Sequence, residues 1–152
     1  MAIPGPFTWF DESLEHVDAD AMNGVDTYSA ILTTTSQALS ASFVGSSGNC
    51  TYADLTAELA TANGYTNGGL VLTSVTVTRS GGVVKWDADN LLWTITGAGI
   101  SFLYLVIRNN TTGRLICFSN VYTDGGGANL TAVAGPLQFT ISPDGILEIE
   151  RV

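Results

Sequence analysis

Lysine occurs once in this chain, at Lys85, and all five basic residues lie at or after Arg79, whereas eight acidic residues precede it. A protein that grips phosphates needs a basic face to neutralise them. Its absence from the first half leads to the expectation of no nucleic-acid partner. Histidine also occurs once, at His16. No Cys or second His stands near it at ligand spacing, so neither a zinc site nor any other cofactor is expected. The two cysteines, Cys50 and Cys117, are far apart. They read as buried or half-buried thiols of a protein made in the cytoplasm. No apolar run is long enough to span a bilayer; the longest is Phe102 to Ile107, so no membrane association is expected. The opening "MAIPGPFTWF" lacks a basic region followed by an apolar one and does not read as a secretory signal. Asn49, Asn109, Asn110 and Asn129, though in Asn-X-Ser/Thr sequons, therefore read as turn residues. Neither a Gly-X-Ser-X-Gly elbow nor a Gly-Lys-Ser/Thr phosphate loop is present. No nucleophile, base and orienting group converge, so the chain is expected not to be an enzyme.

What is present points to strands. Apolar residues make up 45% and charged residues 12% of 152 positions, which suits one domain with a sizeable core. Threonine, serine, glycine and valine dominate, the palette of short strands and tight turns. The net charge of −9 keeps such a chain soluble or meets a basic surface on a partner.

Residues 1–7 read as an extended arm, because Pro4 and Pro6 forbid regular helix. Residues 8–152 read as a single domain, mainly β: an antiparallel β-sandwich with two short helices in its N-terminal half. The first helix is expected from Thr8, with Asp11 completing a capping pair. Phe10, Leu14, Val17 and Ala21 form its apolar stripe, and Asn23-Gly24 ends it. The second is expected from Thr51, with Asp54 completing the pair and Asn63-Gly64 as its end. Strands are expected over Asp26 to Thr33, Leu70 to Thr78, Val83 to Trp86, Trp93 to Thr96, Ile100 to Arg108, Leu115 to Tyr122, around Leu137 to Ile141, and from Ile146 onward. A short strand is also expected around Ser42 to Val44, and "TDGGGANLT" reads as a loop. The stretch "ISFLYLVIR" is apolar at successive positions, which marks a strand covered on both faces and hence central.

One stretch decides between enzyme and scaffold: "WDADN", Trp86 to Asn90. Asp87 and Asp89 invite a calcium or acid–base reading. Residues two apart with a third between them do not automatically converge on one ion, and Asp and Asn are natural corner formers. The expectation is a corner, with Trp86 and Trp93 sealing the end of the sheets. "DADAMNG", Asp18 to Gly24, resembles a calcium loop only weakly, since Asn and Gly arrive one position late and no closing Glu follows. Gly64, Tyr65, Gly68 and Gly69 are expected to set a turn that other residues cannot adopt.

Four segments form a familiar set: "TYADLTAELATANGYTNGG", "VTVTRSGGVVKWDADNLLWTITG", "LYLVIRNNTTGRLICF" and "LQFTISPDGILEI". Their order is Asp-Leu-x-x-Glu, Gly-Tyr-x-x-Gly-Gly, Asp-Ala-Asp-Asn before a Trp, and Ile-x-x-x-Gly-Ile-Leu. This resembles a family of small virion structural proteins of tailed bacteriophages, over roughly Leu14 to Ile149. "NGVDTYSAIL" fits the same family's first strand. The resemblance implies an assembly role in the virion after synthesis in the host cytoplasm, as a capsid decoration or cement protein stabilising the head. A neck, tail or fibre component is the alternative, and the three tryptophans keep a carbohydrate-binding module as a second one. The partners implied are the major capsid protein or other virion proteins. Within the apolar arm, Ile3, Pro4, Pro6 and Phe7 are the expected partner-binding residues. A self-associated state, with a trimer as the simplest form, follows from an apolar arm that a free monomer would expose.

Overall fold

The computed structural model describes residues 6–20, 23–46, 48–122 and 127–150. It is mainly β, with several antiparallel sheets, none of them closed. The chain opens with strand β1 (Thr8–Trp9), followed by a short helical stretch in two pieces, α1 (Asp11–Glu15) and α2 (Val17–Asp20). Strand β2 (Tyr28–Thr33) comes next, then a single 3-10 turn at Tyr52–Asp54 and β3 (Leu70–Val71). The remaining strands are β4 (Thr76–Ser80), β5 (Val83–Asp87), β6 (Leu91–Ile95), β7 (Ile100–Phe102), β8 (Tyr104–Asn109), β9 (Leu115–Asn120), β10 (Leu130–Ala132), β11 (Gly135–Phe139) and β12 (Leu147–Glu150).

The largest sheet runs β1-β9-β8-β2-β3, which makes β8 the middle strand of five. The other sheets are β12-β5-β4, β11-β6 and β10-β7. Two apolar clusters occupy opposite faces of the large sheet. Leu105, Ile107, Ala30, Leu32 and Cys117 belong to the larger one, with Trp86, Trp93, Phe102 and Phe139 from the smaller sheets. Val106, Ile31, Leu115 and Phe118 belong to the second, with Phe10, Leu39, Cys50 and Leu55. Covering by both clusters is why β8 does not alternate between apolar and polar positions. The register shift after Ile107 inserts Ile116 as an extra residue on β9. Ile116 and Cys117 therefore both contribute to the larger cluster.

Of the two expected helices one short helix is present, with a later start, and the other is corrected. Thr8 is a strand residue, paired with Phe118, and the backbone N–H of Phe10 donates to the Ile116 carbonyl at 3.1 Å. These contacts to β9 delay the helix to Asp11, and the stretch breaks at His16. Its buried residue is Ser13, whose hydroxyl donates to the Leu115 carbonyl. Leu14, expected on the apolar stripe, is 50% exposed. Ala21 lies outside the described residues.

The second helix is absent beyond its first turn. Gln37 removes its backbone partners: the side-chain carbonyl accepts from the N–H groups of Thr56 and Ala57, and the amide donates to the Asp54 carbonyl. The chain then runs extended beside the end of β2, with Thr34 N–H donating to Ala57 and Leu59 N–H donating to Leu32. Asn63-Gly64 ends no helix. It is a two-residue hairpin turn with φ of 51° and 90°, closed by reciprocal bonds between Ala62 and Tyr65. Positive φ at both central residues is the type I′ signature that Asn-Gly favours.

Two expected strands are interrupted. Leu70 to Thr78 breaks at Ser74, which has φ of 52°. Ile100 to Arg108 breaks at Leu103, where the chain passes from the β10 partner to the β2 partner. The expected Ser42–Val44 strand is a turn and irregular segment instead. No described helix is long and apolar enough to cross a membrane.

Candidate functional site

The Trp86–Asn90 corner links β5 to β6. Trp86 is fully buried, with ring contacts to Trp9 at 5.7 Å and Tyr28 at 5.1 Å. Asp87 turns back to the Lys85 ammonium at 2.9 Å, and its other oxygen accepts from the Ala88 N–H. Asp89 faces a different segment. One carboxylate oxygen accepts from the hydroxyls of Thr73 at 3.0 Å and Ser74 at 2.6 Å, while the Asp89 N–H donates to the Thr73 carbonyl. Asn90 accepts from the Ile141 N–H. Asp89 thus ties the corner to the segment before β4 and Asn90 ties it to the chain after β11, while Asp87 is bonded within β5 and the corner itself. The two aspartates share no partner, and among the described residues no His, Cys, Asp or Glu group is placed to hold a metal ion. Asp89 also stabilises the positive φ at Ser74 by holding its hydroxyl.

That arrangement gives a direct expectation. Asp89→Asn weakens charge-assisted bonds at an exposed corner and should cost about 0.5–2 kcal/mol. Asp87→Asn removes a half-exposed ion pair and should cost about 1 kcal/mol or less. Melting temperature with calcium and with chelator checks it: neither variant should change the response to the ion. A calcium-dependent melting point that disappears in the double variant would mean that the aspartates ligate.

The second constellation surrounds the Gly64–Gly69 turn. The Glu58 carboxylate accepts from the Tyr52 hydroxyl at 2.5 Å, the Tyr65 hydroxyl at 2.8 Å and the Gly68 N–H at 2.6 Å. Tyr65 is buried and its oxygen in turn accepts from the Leu32 N–H. Burial, followed by the neighbouring Glu58 carboxylate, pushes the Tyr65 phenol up from its ordinary range. The Tyr52 phenol shifts the same way, also first through burial. Both phenols therefore remain protonated donors to Glu58 at neutral pH. Arg108 stacks on the Tyr52 ring at 3.8 Å and donates to Asn110.

Gly64 and Gly69 lie where no side chain fits. A Cβ on Gly64 would stand 2.0 Å from the Thr94 carbonyl oxygen, and one on Gly69 would stand 2.1 Å from that of Ala30. Gly68 has φ of 96° with only the Arg108 side chain near, at 3.7 Å. The turn thus locks β6 and β2 to one loop. The sequence reading missed Glu58, although a signal existed: it is the only charged residue between Asp54 and Arg79.

The remaining candidates fall apart as a single site. Of the arm, Pro6 is exposed and Phe7 is half-buried against the larger core cluster, while Ile3 and Pro4 lie outside the described residues. Trp9, Trp86 and Trp93 are all core residues, so they offer no sugar-stacking platform. Cys50 and Cys117 are buried free thiols. Burial, with lesser contributions from Glu12 and Asp54, pushes the Cys50 thiol up to about 12, which makes it a poor nucleophile. A shallow cleft of about 470 Å³ at the β4–β5 tip is lined by Arg79, Ser80, Gly81, Gly82, Val83 and Val84. Its lining holds no acid–base pair.

The chain matches no known family model, no curated protein and no solved structure.

Proposed function

We propose that this chain is a structural protein of a tailed-bacteriophage virion, and within it a capsid decoration or cement protein. In this reading the large sheet and the smaller sheets pack face to face as a β-sandwich, and the domain has no catalytic role. It binds the major capsid protein through many weakly attached copies and self-associates through the arm, as a trimer in the simplest form. The observation that carries the reading is the use of the motif residues that resemble the phage family. Gly64 and Gly69 each hold a loop to a strand, and Glu58 and Asp89 each hold one loop to another. Such residues preserve a scaffold, and the chemistry of an assembly protein is its scaffold and its exposed ends.

The test is attachment to particles. The full chain should occupy phage heads in hundreds of copies, whereas tens or fewer would place it at the neck or tail. Deleting Met1 to Pro6 should leave the fold intact, because the deletion stops short of Phe7 and of the β1 pairing to β9. The truncated chain should lose the arm-mediated trimer step in light scattering and at least about tenfold in occupancy, a loss of about 1.4 kcal/mol. Equal occupancy by the truncated chain would remove the arm from the proposal.

A further inference from the structure

An antiparallel sheet with open edges is prone to pair with another chain unless each edge is short, charged, bulged, proline-bearing or covered. In this fold every named sheet has open ends, so its edges can be compared. Strands β1 and β3 have two residues each, and β7 and β10 have three. Strand β11 carries Gly135 and Pro136. The C-terminal end of β6 is covered by the Asn63–Gly64 turn, with Gly64 against the Thr94 carbonyl and Thr96 N–H donating to Asn63. Strand β12 carries Glu148 and Glu150. Strand β4 differs. It is five residues long, Thr-Val-Thr-Arg-Ser, without proline or glycine, and its one charge, Arg79, stands near the strand's end. Among the described residues its backbone pairs with β5 alone. Thr76, Thr78, Arg79 and Ser80 are exposed.

We infer that β4 is a self-pairing edge, through which two copies of this chain join antiparallel about a two-fold axis. Charge singles out a second copy as the occupant. Arg79 is the only exposed cation among the described residues and lies near the C-terminal end of β4. Asp89 lies at the other end, bonded to Thr73 and Ser74 just before the strand. Antiparallel pairing brings the cation of each copy to the carboxylate end of the other, and parallel pairing does not. Any register centred on a residue keeps the faces of the two sheets continuous, and the favoured one centres on Val77 because Val77 is the half-buried member of β4. There the half-buried Val77 meets its own copy, Thr76 faces Thr78 on the opposite face, and Arg79 comes beside the Thr73–Ser74 corner. Such cross-strand pairs are individually modest and act together along the edge. The result is a six-stranded sheet, β12-β5-β4 continued by its copy, with the isologous symmetry commonest among dimers. The inference needs neither the phage reading nor the arm.

Sedimentation of the full chain over a concentration series tests it. The wild-type chain should show a dimer that weakens with salt. Arg79→Glu, which sets like charges at both ends, should raise the dissociation constant at least about tenfold. Thr76→Lys combined with Thr78→Lys sets lysine opposite lysine twice and should do the same. All three side chains are exposed, so the melting temperature serves as the control for folding. Deleting Met1 to Pro6 should leave this two-fold step unchanged, which separates it from any arm contact. A chain without a salt-sensitive two-fold step, or a two-fold step that survives either folded variant, would overturn the inference.

Discussion

Leu105→Asp is expected to leave almost no soluble protein. Leu105 is fully buried in the middle of β8, opposite Leu32 on one side and Ser119 on the other. Its side chain belongs to the larger core cluster. An aspartate there has no cation or donor set to meet it, and burying an unpaired polar group costs several kcal/mol even if the group neutralises itself. Domains of this size are stable by only about 5–15 kcal/mol. Removal of the leucine packing adds about 2–5 kcal/mol more, so the sum reaches the whole margin. Leu103→Asp should behave alike, because Leu103 is 2% exposed and its N–H donates to Thr33. Leu92 supplies the contrast. It is 55% exposed on β6, and Leu92→Asp should alter stability by about 0.5 kcal/mol or less. The soluble fraction after expression, followed by circular dichroism of whatever is recovered, distinguishes these cases. A well-folded Leu105→Asp protein would remove β8 from the centre of the sheet.

Gly64→Ala should destabilise the fold by about 2–4 kcal/mol, near the upper range for a single methyl group. Two costs add. The left-handed backbone at φ of 90° disfavours any L side chain by about 1–2 kcal/mol. The new Cβ would also stand 2.0 Å from the Thr94 carbonyl oxygen, so the turn and β6 must separate. Gly81→Ala isolates the first cost. Gly81 has φ of 60° but no atom within 4 Å of its Cβ position, and a loss of about 1 kcal/mol is expected there. Urea unfolding midpoints of the two variants, compared at equal slope, measure the difference. Equal losses would mean that the Gly64 turn does not press on β6.

Much of this architecture is legible wherever one residue type permits only one conformation or one environment. The apolar run at Phe102 to Ile107 marks the strand between two cores because no amphipathic strand carries that pattern. Gly64, Gly68 and Gly69 mark a turn for a comparable reason. Legibility fails where tertiary contacts override local spacing. Tyr52, Leu55 and Leu59 recur at helical intervals, yet Gln37 takes the hydrogen bonds a helix needs. Phe10 reads as a helical stripe residue, yet its backbone is claimed by β9. The breaks at Ser74 and Leu103 are equally silent in sequence, since each depends on which strand lies alongside. Glu58 stands in the sequence only as the end of Asp-Leu-x-x-Glu, because its partners, Tyr52 and Tyr65, converge only once the chain there leaves the helix.

The strand order of the large sheet also sets when the chain can fold during synthesis. Trp9 pairs with Cys117, and Ala30 pairs with Ile107. Translation delivers β1 and β2 early and their neighbours β8 and β9 late, so both early strands leave the ribosome without their permanent neighbours. Contacts so distant along the chain close slowly, on the order of milliseconds to seconds in small β proteins. Until they close, Trp9, Phe10 and the apolar residues of β2 are open to chaperones and to neighbouring nascent chains. A translation product that stops before Leu115 contains β8 but lacks the strand that joins it to β1. Such a fragment carries an apolar middle strand as an edge and is expected to be a substrate for degradation.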